Sequence, residues 1–170
     1  RAQDRLAFDE IFLTQIRVLQ YRQQRRRQYS VRIPAPQNLD EKIQGLPFGL
    51  TAGQQQALAE ILADFQKPYP ANRLLQGDVG SGKTALAALA MWAAALSGLQ
   101  TALLSPTEIL ASQHYANFLS LFKNDGLDLG LLTSSQARLN GNPVSRATLL
   151  GLIQTGRIKF ILGTHALLED

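Results

Sequence analysis

Apolar residues recur every three to four positions along several stretches of this chain and gather into short unbroken runs in others, with turn residues between them. From Asp4 to about Arg27, Phe8, Phe12, Ile16 and Leu19 follow helical spacing, and Asp4 is available as the cap of a long amphipathic helix. Ser30 to Gly49 holds Pro34, Pro36 and Pro47 and reads as an extended connector. Thr51 opens a second helix whose apolar stripe is Leu58, Ile61, Leu62 and Phe65, and Pro68 and Pro70 end it. Thr51-x-x-Gln54 fits a capping box, in which Gln54 satisfies the first N–H groups of its own helix.

Beyond this helix the period shortens. Arg73 to Gln76 reads as a short strand, and Ala85 to Leu96, rich in Ala and Leu, as a helix. Thr101 to Leu104 is a buried strand that stops at Ser105-Pro106-Thr107-Glu108, and a helix with Leu110, His114, Phe118 and Leu121 on one face follows at once. Leu127 to Thr133 predicts a third strand, Ser134 to Pro143 a polar loop, and Val144 to Thr155 a helix. Ile158 to Leu162 predicts a fourth strand running into Gly163-Thr164-His165. Strands alternating with helices of this length imply an α/β fold of parallel βαβ units with right-handed crossovers. Three segments follow: a helix over residues 1–33, a connector over 34–49 and an α/β domain over 50–170.

Composition narrows the class. The 170 residues suit one domain, and 45% apolar content suffices for a core. No apolar run approaches the ~18 residues of a membrane span, and nothing at the start has the order of a signal peptide, so a soluble protein without membrane partners is expected. The absence of cysteine excludes disulfides and thiolate metal sites and fits a reducing cytosol. The net charge of +4 is unevenly spread. Residues 1–33 carry eight arginines against three carboxylates, whereas the rest carries nine Lys/Arg against ten Asp/Glu. The basic excess therefore sits in the N-terminal helix, and its last turns hold Arg22, Arg25, Arg26 and Arg27 between Tyr21 and Tyr29. Such a run is either a solvated face at the negative end of a helix dipole or a nucleic-acid contact.

The chemistry centres on Gly77-Asp78-Val79-Gly80-Ser81-Gly82-Lys83-Thr84, which fits the phosphate-loop pattern G-x-x-x-x-G-K-[ST]. Glycines there turn backbone N–H groups toward a triphosphate, Lys83 reaches the outer phosphates, and Thr84 offers a hydroxyl to Mg²⁺. The helix that follows adds its partial positive charge. In an open α/β sheet ligands collect beyond the carboxyl ends of the strands, which places the phosphate loop, Ser105 to Glu108 and Gly163 to His165 on one edge. Thr107 and Thr164 are neutral donors suited to holding phosphates without reading bases, although Thr107 also reads as an ordinary cap and His165 as a surface or packed histidine. Paired carboxylates, a Ser-His-Asp set and a histidine cluster with metal-ligand spacing are all missing from the sequence, and Asp78 reads as a turn-shaping residue. An acidic pair behind an apolar strand, which phosphate-loop NTPases use for Mg²⁺ and water, does not follow the loop. Glu169-Asp170 lacks such a strand, so the chain is expected to bind nucleotide better than it hydrolyses it.

These residues resemble the RecG-type DNA branch-migration helicases of superfamily two. Leu46-Pro47-Phe48-Gly49-Leu50-Thr51-x-x-Gln54 is similar to the opening of their first motor domain, and Gln76 to Thr84 to their first helicase motif. Ser105 to Ala111 with Gln113-His114 resembles motif Ia, Gly163 to Leu167 motif Ib, and Arg5 to Glu10 the long helix that joins a wedge domain to the motor. The resemblance implies a RecA-like phosphate-loop NTPase lobe, its parallel sheet incomplete here, preceded by the long helix. It implies an ATP-dependent double-stranded DNA helicase that uses ATP and Mg²⁺. Its partners would be branched DNA, stalled forks and Holliday junctions, and it would act as a monomer in the bacterial cytoplasm at the nucleoid.

Carried over residue by residue, the resemblance assigns adenine recognition to Gln54 and nucleotide binding to Gly77, Asp78, Val79, Gly80, Ser81 and Gly82. Lys83 and Thr84 would be catalytic, Thr84 also holding the metal, and Thr107 and Thr164 would meet the strand backbone. Beside those two, Glu108 and His165 are candidate DNA contacts by position, and Arg22, Arg25 and Arg26 by their charge, if that run is not merely a solvated face. The acidic motif and second motor lobe would lie after Asp170, which leaves this portion alone inactive. One departure is that Ser134 to Asn142, where such proteins carry a basic stretch, holds only Arg138. Rival readings are the motor lobe of the translocase that couples repair to transcription and a non-enzymatic nucleotide-binding module. A small-molecule kinase would need a lid and an acceptor site that the sequence does not offer.

Overall fold

The computed structural model describes residues 2–167. Helix α1 spans Ala2–Arg26, so Asp4 falls within the helix and not at its cap position, a correction to the expected start. Its apolar stripe is left open: Phe8, Phe12 and Leu19 are between 50% and 63% exposed, and Phe8 stacks on Phe12, at 5.7 Å between ring centres. The connector is not wholly extended, because Leu39–Gln44 forms a short helix α2. Leu39, Ile43 and Leu46 then pack against the apolar side of α3, Ala52–Phe65, which supplies the tertiary burial that so short a helix needs.

Helix α4, Lys83–Leu96, leads through Ser97–Gln100 to strand β1, Thr101–Leu104. Helix α5, Glu108–Leu121, is followed by β2, Leu129–Leu132, then by β3, Ala137–Leu139, and β4, Asn142–Pro143. Helix α6, Arg146–Gln154, precedes β5, Phe160–Gly163, and a 3-10 turn at His165–Leu167. The sheet order is β1-β5-β2-β3-β4, with β1, β5 and β2 parallel and β3 and β4 antiparallel. The expected α/β fold with a parallel sheet is therefore present, with an antiparallel hairpin at one edge.

Two further expectations need correction. Arg73 to Gln76 is not a strand: no strand among the described residues pairs with it, and a single strand leaves its ladder unmade. Leu75 packs instead on the α3–α4 cluster, while Leu74 is 87% exposed. Ser134 to Pro143 is not simply a loop, because it folds into the β3–β4 hairpin. Asn140 and Gly141 both adopt positive φ, +49° and +86°, the two-residue turn whose twist matches that of antiparallel strands. The buried hydroxyl of Tyr115 accepts the Gly141 N–H at 2.8 Å, and the Asn140 amide accepts the Leu129 N–H at 2.8 Å, so the tip of the hairpin is tied back to the sheet.

The core has three parts. On one sheet face Trp92 of α4 and Phe118 of α5 lie against Leu129, Leu131, Phe160 and Leu162. Phe122 stacks on Phe160 at 4.8 Å, and Phe118 meets both rings edge-on, arrangements that add to simple burial. On the other face Leu149 of α6 covers Leu132, Ile158 and Ile161. The third part joins α3 to α4 through Leu58, Leu62, Leu86 and Leu89. No helix of the described residues is long and apolar enough to cross a membrane. Glu169 and Asp170 lie outside the described residues.

Candidate functional site: a phosphate loop held by the cap of its neighbouring helix

Gly77 to Gly82 forms an exposed loop without regular structure, and Gly82 is the cap residue of α4. Its φ of +83° lies in the left-handed region, and a Cβ there would meet the side-chain nitrogen of Gln54 at 2.4 Å. Glycine adopts that φ without strain, and a side chain there would also push the Gln54 amide off the loop. The Lys83 ammonium donates to the carbonyl oxygens of Gly77 at 2.8 Å and Asp78 at 2.6 Å, and to Ser81 Oγ at 3.4 Å. The lysine thus closes the loop upon itself and holds a positive charge within it.

Gln54 reaches this loop from the first turn of α3. Its Oε1 accepts the Thr51 N–H at 2.8 Å while the Thr51 hydroxyl accepts the Gln54 N–H, the capping box expected from the sequence. Its Nε2 donates to the Ser81 carbonyl at 2.9 Å, which the spacing could not reveal. Thr84, in the first turn of α4, borders a cavity of about 250 Å³ with Phe48 and with Asn117 and Leu121 of α5. Phe48, 44% exposed, was not assigned a role from the sequence.

Thr107 and Thr164 leave neighbouring strands at the same edge, since Leu104 pairs with Gly163 and the Ser105 N–H donates to the Gly163 carbonyl at 2.8 Å. Thr107 caps α5, its hydroxyl accepting the Leu110 N–H at 3.3 Å. Thr164 is buried and His165 exposed. Thr84 shares its cavity with Asn117, which lies ten residues along α5 from Thr107. Glu108 turns its carboxylate to the next loop, where it accepts the Ser135 N–H at 3.1 Å and the Ser135 hydroxyl. Those bonds hold its pKa below the usual carboxylate range, so it stays an anion that organises the loop.

Arg146 was missed by the sequence reading, because a lone arginine at a helix start has no pattern to mark it. Its guanidinium donates to the carbonyls of Thr133 and Ala166, each at 3.3 Å, and so joins the exits of β2 and β5. Arg22, Arg25 and Arg26 lie elsewhere, at the far end of α3. There the Ser30 N–H donates to the Pro68 carbonyl at 3.0 Å and the Ile33 N–H to Phe65 at 2.9 Å. The length of α3, about 20 Å for its 14 residues, separates them from Gln54. Among the described residues no group of three or more His, Cys, Asp or Glu is placed to hold a metal ion.

Residues 51–170 match the model of the DEAD/DEAH box helicase family. The chain is 45% identical to the ATP-dependent DNA helicase RecG of Bacillus subtilis, over 99% of this chain and 24% of that protein. It is 41% identical to RecG of Aquifex aeolicus, over 98% of this chain and 20% of that one. The chain thus spans about a quarter or less of these relatives. A solved structure of RecG bound to a three-way DNA junction superposes with a TM-score of 0.84 at 35% identity, over 98% of this chain and 22% of that one. An ATP-dependent RNA helicase from Sulfolobus tokodaii, described as hypothetical, shares the fold at a TM-score of 0.55 and 16% identity, over 77% of this chain and 34% of that one. With its glycine loop capped at Gly82 and closed by Lys83, the chain belongs to the DEAD/DEAH box helicase family.

Proposed function

We propose that this chain is the nucleotide-binding portion of an ATP-dependent double-stranded DNA helicase that remodels stalled forks and Holliday junctions in recombination and repair. The observation that carries the reading is the phosphate loop itself, with Lys83 held over its carbonyls and Gly82 in a conformation only glycine adopts freely. The loop fits a nucleoside triphosphate: Gly77 to Gly82 would supply N–H groups, Lys83 a charge for the outer phosphates, and Thr84 a hydroxyl for Mg²⁺. Bound ATP supplies the phosphoanhydride whose hydrolysis drives movement; the residues here bind and orient it. Gln54, one turn into α3 and bonded to the Ser81 carbonyl, would turn its amide to the base.

Branched DNA as the partner is supported by RecG having been solved on a three-way junction and by the likeness to it over nearly the whole chain. Thr107, Thr164 and His165 at the end of β1 and β5 would hold the strand backbone with neutral or weakly basic donors. Glu108 would shape the loop beside them through Ser135. A monomer working at the bacterial nucleoid completes the reading.

The test is phosphate release by the whole protein, with and without branched DNA, beside its Lys83→Ala variant. Strong stimulation by junctions that disappears in the variant is the expected result. Turnover indifferent to DNA, or undiminished without Lys83, would overturn the assignment.

A further inference from the structure

We propose that the arginines ending α1 and the segment following α3 form a second trough for the sugar–phosphate backbone of duplex DNA, remote from the phosphate loop. The proposal rests on the DNA-helicase reading above. A cavity of about 520 Å³ lies between the last turns of α1 and residues 64–74, bordered by Arg22, Arg25, Arg26, Lys67, Tyr69 and Arg73. A second, of about 440 Å³, continues along the helix past Tyr21, Gln24 and Gln28 and shares Arg25 and Asn72 with the first. Together they make one channel rather than two separate dimples.

The charge in this channel is not balanced. Asp64 is the carboxylate that borders it, and both of its oxygens are taken, by Lys67 at 2.5 Å and by Arg73 at 2.6 Å. Arg73 also reaches Glu60, at 2.5 Å. Lys67 and Arg73 are therefore neutralised in place. No carboxylate among the described residues pairs with Arg22, Arg25 or Arg26. Arg26 lies over the Tyr69 ring at 5.9 Å, which fixes its position without cancelling its charge.

Residues three and four apart share one helix face, so Arg22, Arg25 and Arg26 present three like charges to the same space. The negative end of the helix dipole offsets part of their repulsion, and an anion in the channel would offset the rest. Guanidinium forks match phosphate oxygens in pairs. Beside the apolar Pro70, Ala71 and Leu74, the lining includes Tyr69, Asn72 and Gln24, side chains of the kind that position a nucleic-acid backbone without reading its sequence. Tyr21, 70% exposed at the open end, adds a ring face. Charge complementarity favours a phosphate backbone, whose regularly repeated anions can meet the three arginines and run on past Gln24 and Gln28.

The experiment measures binding of the whole protein to a plain duplex across a salt series. The wild type is compared with Arg22→Gln/Arg25→Gln and with the triple alanine variant of Arg22, Arg25 and Arg26, and fluorescent ATP-analogue binding is followed in parallel. Each phosphate contact contributes about 0.9 to the slope of log affinity against log salt, so the double variant should lose about two units of slope and the triple variant more. Nucleotide affinity should hold. Wild-type slopes in both variants would overturn the proposal, as would a parallel loss of nucleotide binding, which would make the arginines structural. If polyglutamate binding falls in the variants while duplex binding does not, the channel takes an acidic segment and the proposal is wrong. If the wild type itself ignores duplex DNA, the helicase reading fails first.

Discussion

Gln54 and Ser81, 27 positions apart in sequence, are joined by a hydrogen bond from the glutamine Nε2 to the serine carbonyl at 2.9 Å. The other end of the same amide accepts the Thr51 N–H, so one side chain caps α3 and steadies the phosphate loop. Both functions sit in a single planar group. Any change in the loop's shape must therefore move the amide or break one of its two bonds.

This arrangement separates two substitutions at Gln54. Gln54→Ala removes the reciprocal half of the capping box and the tie to the loop, leaving the bond from its backbone N–H to the Thr51 hydroxyl, and should cost about 1 kcal/mol of stability. Gln54→Glu keeps an acceptor for the Thr51 N–H but turns the donor facing Ser81 into an anion, beside the place a triphosphate would occupy. It should weaken ATP binding about tenfold or more, and more than alanine does, while retaining more of the cap. Nucleotide titration and urea denaturation of both variants check this; equal loss of affinity would mean that the tie to Ser81 does not matter.

How much of this was legible beforehand depends on whether the signal was local. The Thr51–Gln54 box and the glycine loop before α4 are short patterns whose geometry is dictated within a few residues: the box is made as its spacing predicts, and the loop runs into the expected helix, though no strand leads into it. The Asn140-Gly141 turn was equally local and was overlooked among polar neighbours, although the pair is a strong hairpin signal. Arg73 to Gln76 failed for a different reason. A strand is a relationship between two segments, and the four residues alone say nothing about whether a neighbour lies alongside. The tie from Gln54 to Ser81 and the clamp from Arg146 to Thr133 and Ala166 are tertiary facts with no trace in spacing.

Gly163 should tolerate no side chain. A Cβ there would lie 2.0 Å from the carbonyl oxygen of Leu132 on the neighbouring strand, a backbone atom that cannot step aside without breaking the sheet. Gly163→Ala is expected to cost about 3 kcal/mol, the upper range for overpacking a filled site. It should also disturb Thr164 and His165 at the edge next to it. Urea denaturation gives the first quantity; a loss below about 0.5 kcal/mol would show that β2 and β5 are free to separate there.

Lys42 tests how firmly the connector is fixed to the lobe. Its ammonium pairs with Asp125, donates to the Leu121 carbonyl at 3.0 Å and lies over the rings of Phe122 and Trp92, at 4.8 and 5.6 Å. The Trp92 indole donates to the other oxygen of Asp125 at 2.9 Å. With both ionic partners about 15% exposed, removing one leaves the other charge poorly solvated. Asp125→Ala should therefore cost about 3 kcal/mol. The pair Lys42→Met with Asp125→Asn should cost clearly less than the sum of the single changes, which a double-mutant cycle measures. Strict additivity would mean that the two residues act independently.

Asp64 gives the lobe a pH dependence whose sign can be stated. Hydrogen bonds from Arg73 and then Lys67 lower its pKa from the ordinary 3.8 to about 2. A carboxylate whose pKa is lower when folded stabilises the fold above its unfolded pKa, and that stabilisation is lost as pH falls through the folded value. The contribution is thus complete above about pH 4 and fades between about pH 4 and pH 2. Asp64→Asn should flatten the acid limb of stability in that window and make little difference to its shape between pH 5 and 8. Arg73→Gln should act in the same direction, since its fork supplies the largest share of the shift. Denaturation midpoints taken at intervals from pH 2 to 6 would reveal the change. An acid limb equally steep in the wild type and both variants would place the titrating groups elsewhere, and would mean that the ion pairs flanking the arginine channel are too weakly held to matter.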